Sequence, residues 1–259
     1  MAVTFYTKPT KPLPPRIVIH GQPKIGKTSF AAQAPSPFFI CTEEGLGGLP
    51  SAPPHTSLIT EYADVLETIE MLRTQPHDFK TIVLDSADWM ENVLLKQVAK
   101  DHGLEEYDTN QKPLAYGRGT IAVADKWGSL LQKFDTLRAE RNVAIIFIAH
   151  SKMKKIDDNF VDAYDKWVLD FEIKSGVAKV NDWADIVGYA TEEVKISHES
   201  VGMAQKVKAV KTGNRRLIFR NAPGAQVGSR YDLPDEIKLD WNTFEIALRS
   251  AMSKQAPQV

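Results

Sequence analysis

The stretch Gly21-Gln22-Pro23-Lys24-Ile25-Gly26-Lys27-Thr28 fits the Walker A pattern GxxxxGK[ST] and decides how the rest of the chain is read. The apolar run Ile17-Val18-Ile19 comes just before it and a small-residue helical stretch, residues 29–34, just after, so the motif sits as strand, loop and helix. Glycines at both ends let the backbone curl until successive N–H groups point inward and cradle phosphate oxygens at the start of a helix. Gly21, Gln22, Pro23, Lys24, Ile25, Gly26, Lys27, Thr28 and Ser29 are therefore the expected nucleotide-binding residues. Lys27 is expected to reach the β- and γ-phosphates. The Thr28 hydroxyl is expected to hold Mg²⁺, an ion that prefers hard oxygen ligands.

The second chemical element is Asp85, which closes the run Thr81-Ile82-Val83-Leu84. Apolar or β-branched residues ending in Asp have the Walker B form, in which a buried strand delivers a carboxylate beside the phosphate loop to hold the Mg²⁺ shell. Hydrolysis also needs a carboxylate that polarises the attacking water. Asp85 is followed by Ser86 rather than Glu, so the base must come from another strand, and Glu43 and Glu44 at the tip of the second strand are the suppliers in reach.

The 259 residues suffice for one large α/β domain, a class that reaches roughly 250 residues undivided. Thirty-two Lys and Arg against thirty-three Asp and Glu leave a net charge of −1, so any nucleic-acid surface must be a local patch. The single cysteine, Cys41, cannot form an intrachain disulfide, and a reducing, cytoplasmic setting is the simplest inference. No run of about 18 apolar residues occurs, and the proline-rich start lacks an apolar signal core. Neither export nor membrane insertion is expected. Residues 1–14 are expected to form an extended arm and residues 15–259 a single domain.

Strand and helix patterns alternate along the first part of the chain, which predicts an α/β fold with a mostly parallel central sheet flanked by helices. Strands are expected at 37–42, 81–85 and 142–149, and helices at 61–74, 89–100 and 115–141. Residues 151–176 mix lysines and aspartates with little periodicity and read as a long loop. Residues 185–221 read as antiparallel strands and hairpins, with turns at Gly202 and at Gly213-Asn214, and Asp240 can cap a last helix over 241–252.

The arrangement of these pieces resembles the RecA-like recombinase core. Phe39-Ile40-Cys41-Thr42-Glu43 is similar to that family's strand ending in Asp-Thr-Glu-Gly, which maps the catalytic base onto Glu43, although Cys41 and Glu44 depart from the pattern. His150 closes the strand 142–149, where the family carries a polar group that senses the γ-phosphate. More narrowly, the chain resembles phage-encoded nucleotide-binding proteins of the Sak type over roughly residues 14–240. The shared segments are GQPKIGKT, TIVLDSADW, IIFIAHSK, Trp183-Ala184-Asp185 and Ser229-Arg230-Tyr231-Asp232-Leu233-Pro234.

That resemblance implies ATP and Mg²⁺ as cofactors, and single-stranded DNA as a partner in recombination or annealing. It also implies a homo-oligomer or filament in which a neighbour's basic residue completes each active site. Lys211 is the best-placed trans-acting residue by resemblance, with Lys208, Arg215 and Arg216 as further candidates. DNA contact is expected after His150, where Lys152, Lys154 and Lys155 offer phosphate partners and Phe160, Tyr164 and Trp167 could stack on bases. Aspartates 157, 158, 162, 165 and 170 lie among them, so a solvated lid fits the same pattern. Two functions stay open: a DNA-stimulated ATPase, and a nucleotide-switched adaptor or loader that hydrolyses slowly and docks a phage single-strand-binding or replication protein.

Overall fold

The computed structural model describes residues 13–157, 162–201 and 204–255; the side chains of 196–201, 204–209 and 255 lie outside that description. In chain order the elements are β1 (Arg16–Gly21), α1 (Lys27–Ala31), β2 (Pro37–Cys41), a short 3₁₀ turn (Leu46–Gly48), α2 (Tyr62–Thr74), β3 (Thr81–Asp85), α3 (Ala87–Asp101) and α4 (Arg118–Arg141). Then follow β4 (Ala144–Ile156), β5 (Tyr164–Leu169), α5 (Lys174–Trp183), β6 (Ile186–Val201), β7 (Ala204–Ile218), β8 (Gly228–Ser229), β9 (Glu236–Lys238) and α6 (Trp241–Gln255).

The sheet runs β2-β3-β4-β1-β6-β7-β9. Strands from β2 to the start of β6 pair in parallel, whereas β7 and β9 are antiparallel. Parallel strands covered on both faces read as continuous apolar runs, which is why Ile17-Val18-Ile19 and Ala144 to Ala149 stood out. Alternate side chains of β1 feed two cores. Val18 packs with α2 to α5 around Trp127, Phe134 and Phe147, while Ile17 and Ile19 pack with α1 and α6 around Phe30 and Phe244. This is the mostly parallel α/β P-loop fold with antiparallel C-terminal strands. Among the described residues no helix is long and apolar enough to cross a membrane.

The edge of β2 is covered by its own loop. Phe39 N–H donates to Pro54 O (2.9 Å), Thr56 N–H to Phe39 O (2.9 Å) and Ile59 N–H to Cys41 O (2.8 Å), so the strand does not present open backbone groups.

Two expectations need correction. The segment 151–176 is not one long loop: β4 runs past His150 to Ile156 and pairs with β5 in an antiparallel ribbon, and α5 starts at Lys174. Most of that ribbon is partly or fully exposed on both strands, so its sequence carries no apolar alternation to read. Likewise, Gly213-Asn214 is not a turn. The strands β6 and β7 form one long hairpin, and the register shifts between Glu192 and Val194, opposite Gly213 with its φ of +80°. A bulge needs the same left-handed glycine that a turn needs, so local sequence does not separate them. Gly202 lies outside the described residues.

A buried carboxyl ties α3 to the start of α5. Glu91 is 1% exposed; its Oε2 accepts the Glu172 N–H (2.5 Å) and the Ile173 N–H (3.2 Å). Burial pushes this carboxyl up from 4.5 to about 7, against the pull of the two N–H groups. The folded protein therefore holds this proton to higher pH than the unfolded chain does. Its contribution to stability is complete below pH 4.5 and is lost as pH rises to about 7, a change on the order of 3 kcal/mol. Glu91→Gln is expected to flatten that part of the profile. Denaturant midpoints of both proteins at pH 5 and pH 8 test this, and an unchanged slope would refute it.

Candidate nucleotide site

The phosphate loop leaves β1 at Gly21 and enters α1 at Lys27. Its curl comes from two left-handed residues, Lys24 (φ 66°) and Gly26 (φ 104°). The two motif glycines serve different ends. A Cβ on Gly21 would lie 2.4 Å from the Ala190 carbonyl oxygen of β6, so Gly21 permits close strand approach; Gly26 permits the backbone conformation. The buried Lys27 donates through Nζ to Gly21 O and Gln22 O, both at 3.0 Å. Burial lowers the pKa of its ammonium, and the carboxylates of Asp88, Asp85 and Glu43 oppose that shift.

Asp85 ends β3 between Cys41 of β2 and Ile148 of β4. Its Oδ2 accepts the Thr28 hydroxyl at 2.9 Å, while Oδ1 is buried with no hydrogen-bond partner. Burial pushes the carboxyl up to about 6, with the Glu43 charge adding and the Thr28 bond and Lys27 opposing. An orphaned carboxylate oxygen beside a threonine hydroxyl fits a hard divalent cation. Thr28 and Asp85 would hold Mg²⁺, which supplies charge neutralisation at phosphate oxygens when bound.

A backbone clamp fixes the end of β2 against the end of β3. The Thr42 hydroxyl donates to Ser86 O (2.7 Å) and accepts the Ser86 N–H (2.9 Å), and Thr42 N–H donates to Asp85 O (2.8 Å). Ser86 thus serves through its backbone in this clamp. Directly beyond it, Glu43 and Glu44 line a cavity of about 540 Å³ together with Lys27, Thr28, His150 and Arg215. Glu43 is half-buried and Glu44 exposed, and the Glu43 charge is felt at Lys27, Asp85 and His150.

His150 lies opposite Gly21 where β4 leaves the parallel sheet. Asp88, in the first turn of α3, grips it twice: Oδ1 accepts the His150 backbone N–H (2.9 Å) and Oδ2 the Nδ1–H (2.8 Å). That hydrogen bond holds the imidazole pKa above its usual value, against the cost of burial, and leaves Nε2 for another partner. Next to it, buried His20 couples β1 to the ribbon. Its Nε2–H donates to Gln226 O (2.6 Å), since a carbonyl only accepts, so Nδ1 accepts the Ser151 hydroxyl (2.8 Å). Burial holds this ring neutral, its pKa lowered to about 4.

A P-loop, the hydrogen-bonded Thr28–Asp85 pair and a cavity lined by Lys27 and Thr28 therefore lie together on one end of a parallel sheet. The model of the AAA domain family matches residues 13–231. The chain belongs to this family. It is a P-loop nucleotide-binding protein, and the matched span takes in every residue lining the cavity. No curated protein matches the chain. Among solved structures, a crystal structure of the RadB recombinase is similar over 82% of this chain and 85% of that chain, at 13% identity and a TM-score of 0.43.

Outside the cavity, the AAA domain disperses residues that adjoin in sequence. Strand alternation puts Lys152 and Lys154 on one face of the β4–β5 ribbon and Lys155 on the other, so the three lysines are not one patch. Lys152 donates to Phe171 O (2.5 Å) and pairs with Asp170 (3.3 Å); Lys154 and Lys155 are exposed, and Lys154 faces Lys166 across the ribbon. Trp167 stacks on Tyr189 at 6.3 Å and bonds through its backbone to Gly224 and Gln226, which makes it an anchor of the ribbon. Tyr164 ends the ribbon opposite Ile156, and Phe160 lies outside the described residues.

The basic residues of β7 also part company. Lys211 pairs with Glu192 (3.5 Å), and Arg216 pairs with Glu236 (2.7 Å) and with Glu193. Arg215 instead lines the cavity beside the chain's own P-loop. Lys208 is on β7, with its side chain outside the description. Asp88 and the placement of Arg215 escaped sequence reading. Asp88 is legible only as an acidic residue in a first helical turn, where favourable interaction with the helix end already accounts for it.

Proposed function

We propose that this AAA domain protein binds and hydrolyses ATP with Mg²⁺, binds single-stranded DNA, and acts in recombination or single-strand annealing like the phage proteins of the Sak type that it resembles. The observation that carries the ATPase reading is the Thr28–Asp85 pair with its unpartnered Oδ1, set beside Lys27 in a cavity lined by Glu43 and His150. In this reading Lys27 binds the β- and γ-phosphates, Glu43 polarises the attacking water, and His150, oriented by Asp88, senses the γ-phosphate. The electrostatic coupling of Glu43 to Lys27, Asp85 and His150 favours it over Glu44 as the base.

DNA binding is assigned to the ribbon that continues directly from His150, through exposed Lys154 and Lys155 and with Lys152 at its base. A shift at His150 on loss of the γ-phosphate would then reach the ribbon through the continuous strand β4. A homo-oligomer or filament in the cytoplasm, with Lys211 of a neighbour completing the site, belongs to the same reading. The neutralised Lys152 and the aspartates at 157, 165 and 170 favour a second reading, an adaptor that docks a replication or single-strand-binding protein.

ATP hydrolysis by the full chain alone, with single-stranded DNA and with duplex DNA separates the two. Stimulation by single strands over duplex is expected. An unchanged rate alongside confirmed ATP binding would transfer the assignment to the adaptor.

A further inference from the structure

We propose that Arg215 acts in cis, closing over its own chain's phosphate loop and binding a phosphate oxygen of the nucleotide seated there. The proposal rests on the nucleotide-binding reading above and assigns a residue that the Walker motifs do not include. A Cβ on Gly26 would lie 2.8 Å from Arg215 Nη1 and 3.9 Å from its Cδ, so the guanidinium sits directly on the left-handed glycine of the loop. The same side chain lines the cavity with Lys27, Thr28, Glu43 and His150.

The backbone holds Arg215 in place from both sides. It is opposite Glu192 of β6 in the ladder, its carbonyl accepts the Leu239 N–H (2.9 Å), and Arg216 beside it pairs with Lys238 of β9. Charge distribution separates it from its neighbours. Arg216 is neutralised by Glu193 and Glu236, and Lys211 by Glu192, whereas among the described residues Arg215 has no ion pair or side-chain hydrogen bond. An exposed guanidinium with five donors and no anionic partner, held at a phosphate cradle, matches the forked geometry of a phosphate group. The carboxylates of Glu43 and Glu44 line the same cavity but make no ion pair with it.

A basic residue of a neighbouring chain is the alternative source of positive charge at this site, and subunit mixing distinguishes the two. Titration of the full chain with a fluorescent, non-hydrolysable ATP analogue is expected to show Arg215→Ala binding about 10- to 100-fold more weakly than wild type, the loss of one charge-assisted contact. Arg215→Lys should recover part of that loss, because it keeps the charge without the fork. The thermal midpoint without nucleotide should not move, since among the described residues Arg215 has no ion pair or side-chain hydrogen bond to lose. An equimolar mixture of Arg215→Ala with Lys27→Ala should stay weak, because neither chain carries both groups. Wild-type affinity in Arg215→Ala, or recovered affinity in the mixture, would overturn the cis assignment. A wild-type chain that binds no analogue would instead overturn the nucleotide reading itself, before any variant is examined.

Discussion

Lys27→Ala is expected to weaken ATP binding at least about 100-fold and to bring turnover to background. A buried ammonium that meets phosphate oxygens contributes a charge-assisted contact, and truncating such a buried partner costs roughly 2–5 kcal/mol. The structure adds a second cost. Gly21 O and Gln22 O each lose the Lys27 ammonium as a donor across the loop, so the cradle itself loses a brace. The three carboxylates of Asp85, Asp88 and Glu43 would then face the phosphates with less opposing charge. Calorimetric titration with ATP and Mg²⁺, beside a hydrolysis assay, measures both effects. Undiminished turnover in this variant would remove the site assignment altogether.

Glu43→Gln is expected to lower turnover by about 10²- to 10⁴-fold, the range that positioned general-base catalysis contributes, while ATP affinity stays within a few-fold of wild type. The amide keeps the shape of the side chain and its reach into the cavity but no longer accepts a proton from water. Glu44→Gln provides the comparison. Exposed at the cavity rim, it should change turnover by no more than a few-fold. Steady-state hydrolysis and analogue affinity for the two variants settle the order, and a loss that follows Glu44 instead would move the base by one residue.

Much of the site was legible because its parts are local. The GxxxxGK[ST] spacing, the apolar run before it and the carboxylate ending Thr81-Ile82-Val83-Leu84 each lie within one short segment, and the structure brings Thr28 and Asp85 to 2.9 Å. The parallel sheet was legible for a related reason: strands buried on both faces must be apolar along their whole length. The β4–β5 ribbon was not, because a ribbon exposed on both strands leaves no hydrophobic period, and its lysines separate onto two faces once the strand pleats. Gly213 was misread as a turn because bulges and turns make the same demand on a glycine.

The sequence by itself determined that this chain carries a Walker A loop on an α/β sheet and a strand that ends in the Walker B carboxylate, because each of these motifs is written within one short segment. Only the tertiary structure decided that Asp88 grips His150, that His20 links β1 to the ribbon, and that Arg215 rests on Gly26. These contacts join segments distant in sequence. They exist because the strand order places β4 beside β1 and because pairing of β7 with β6 and β9 fixes the register that carries Arg215 to the loop, and no local pattern encodes that register.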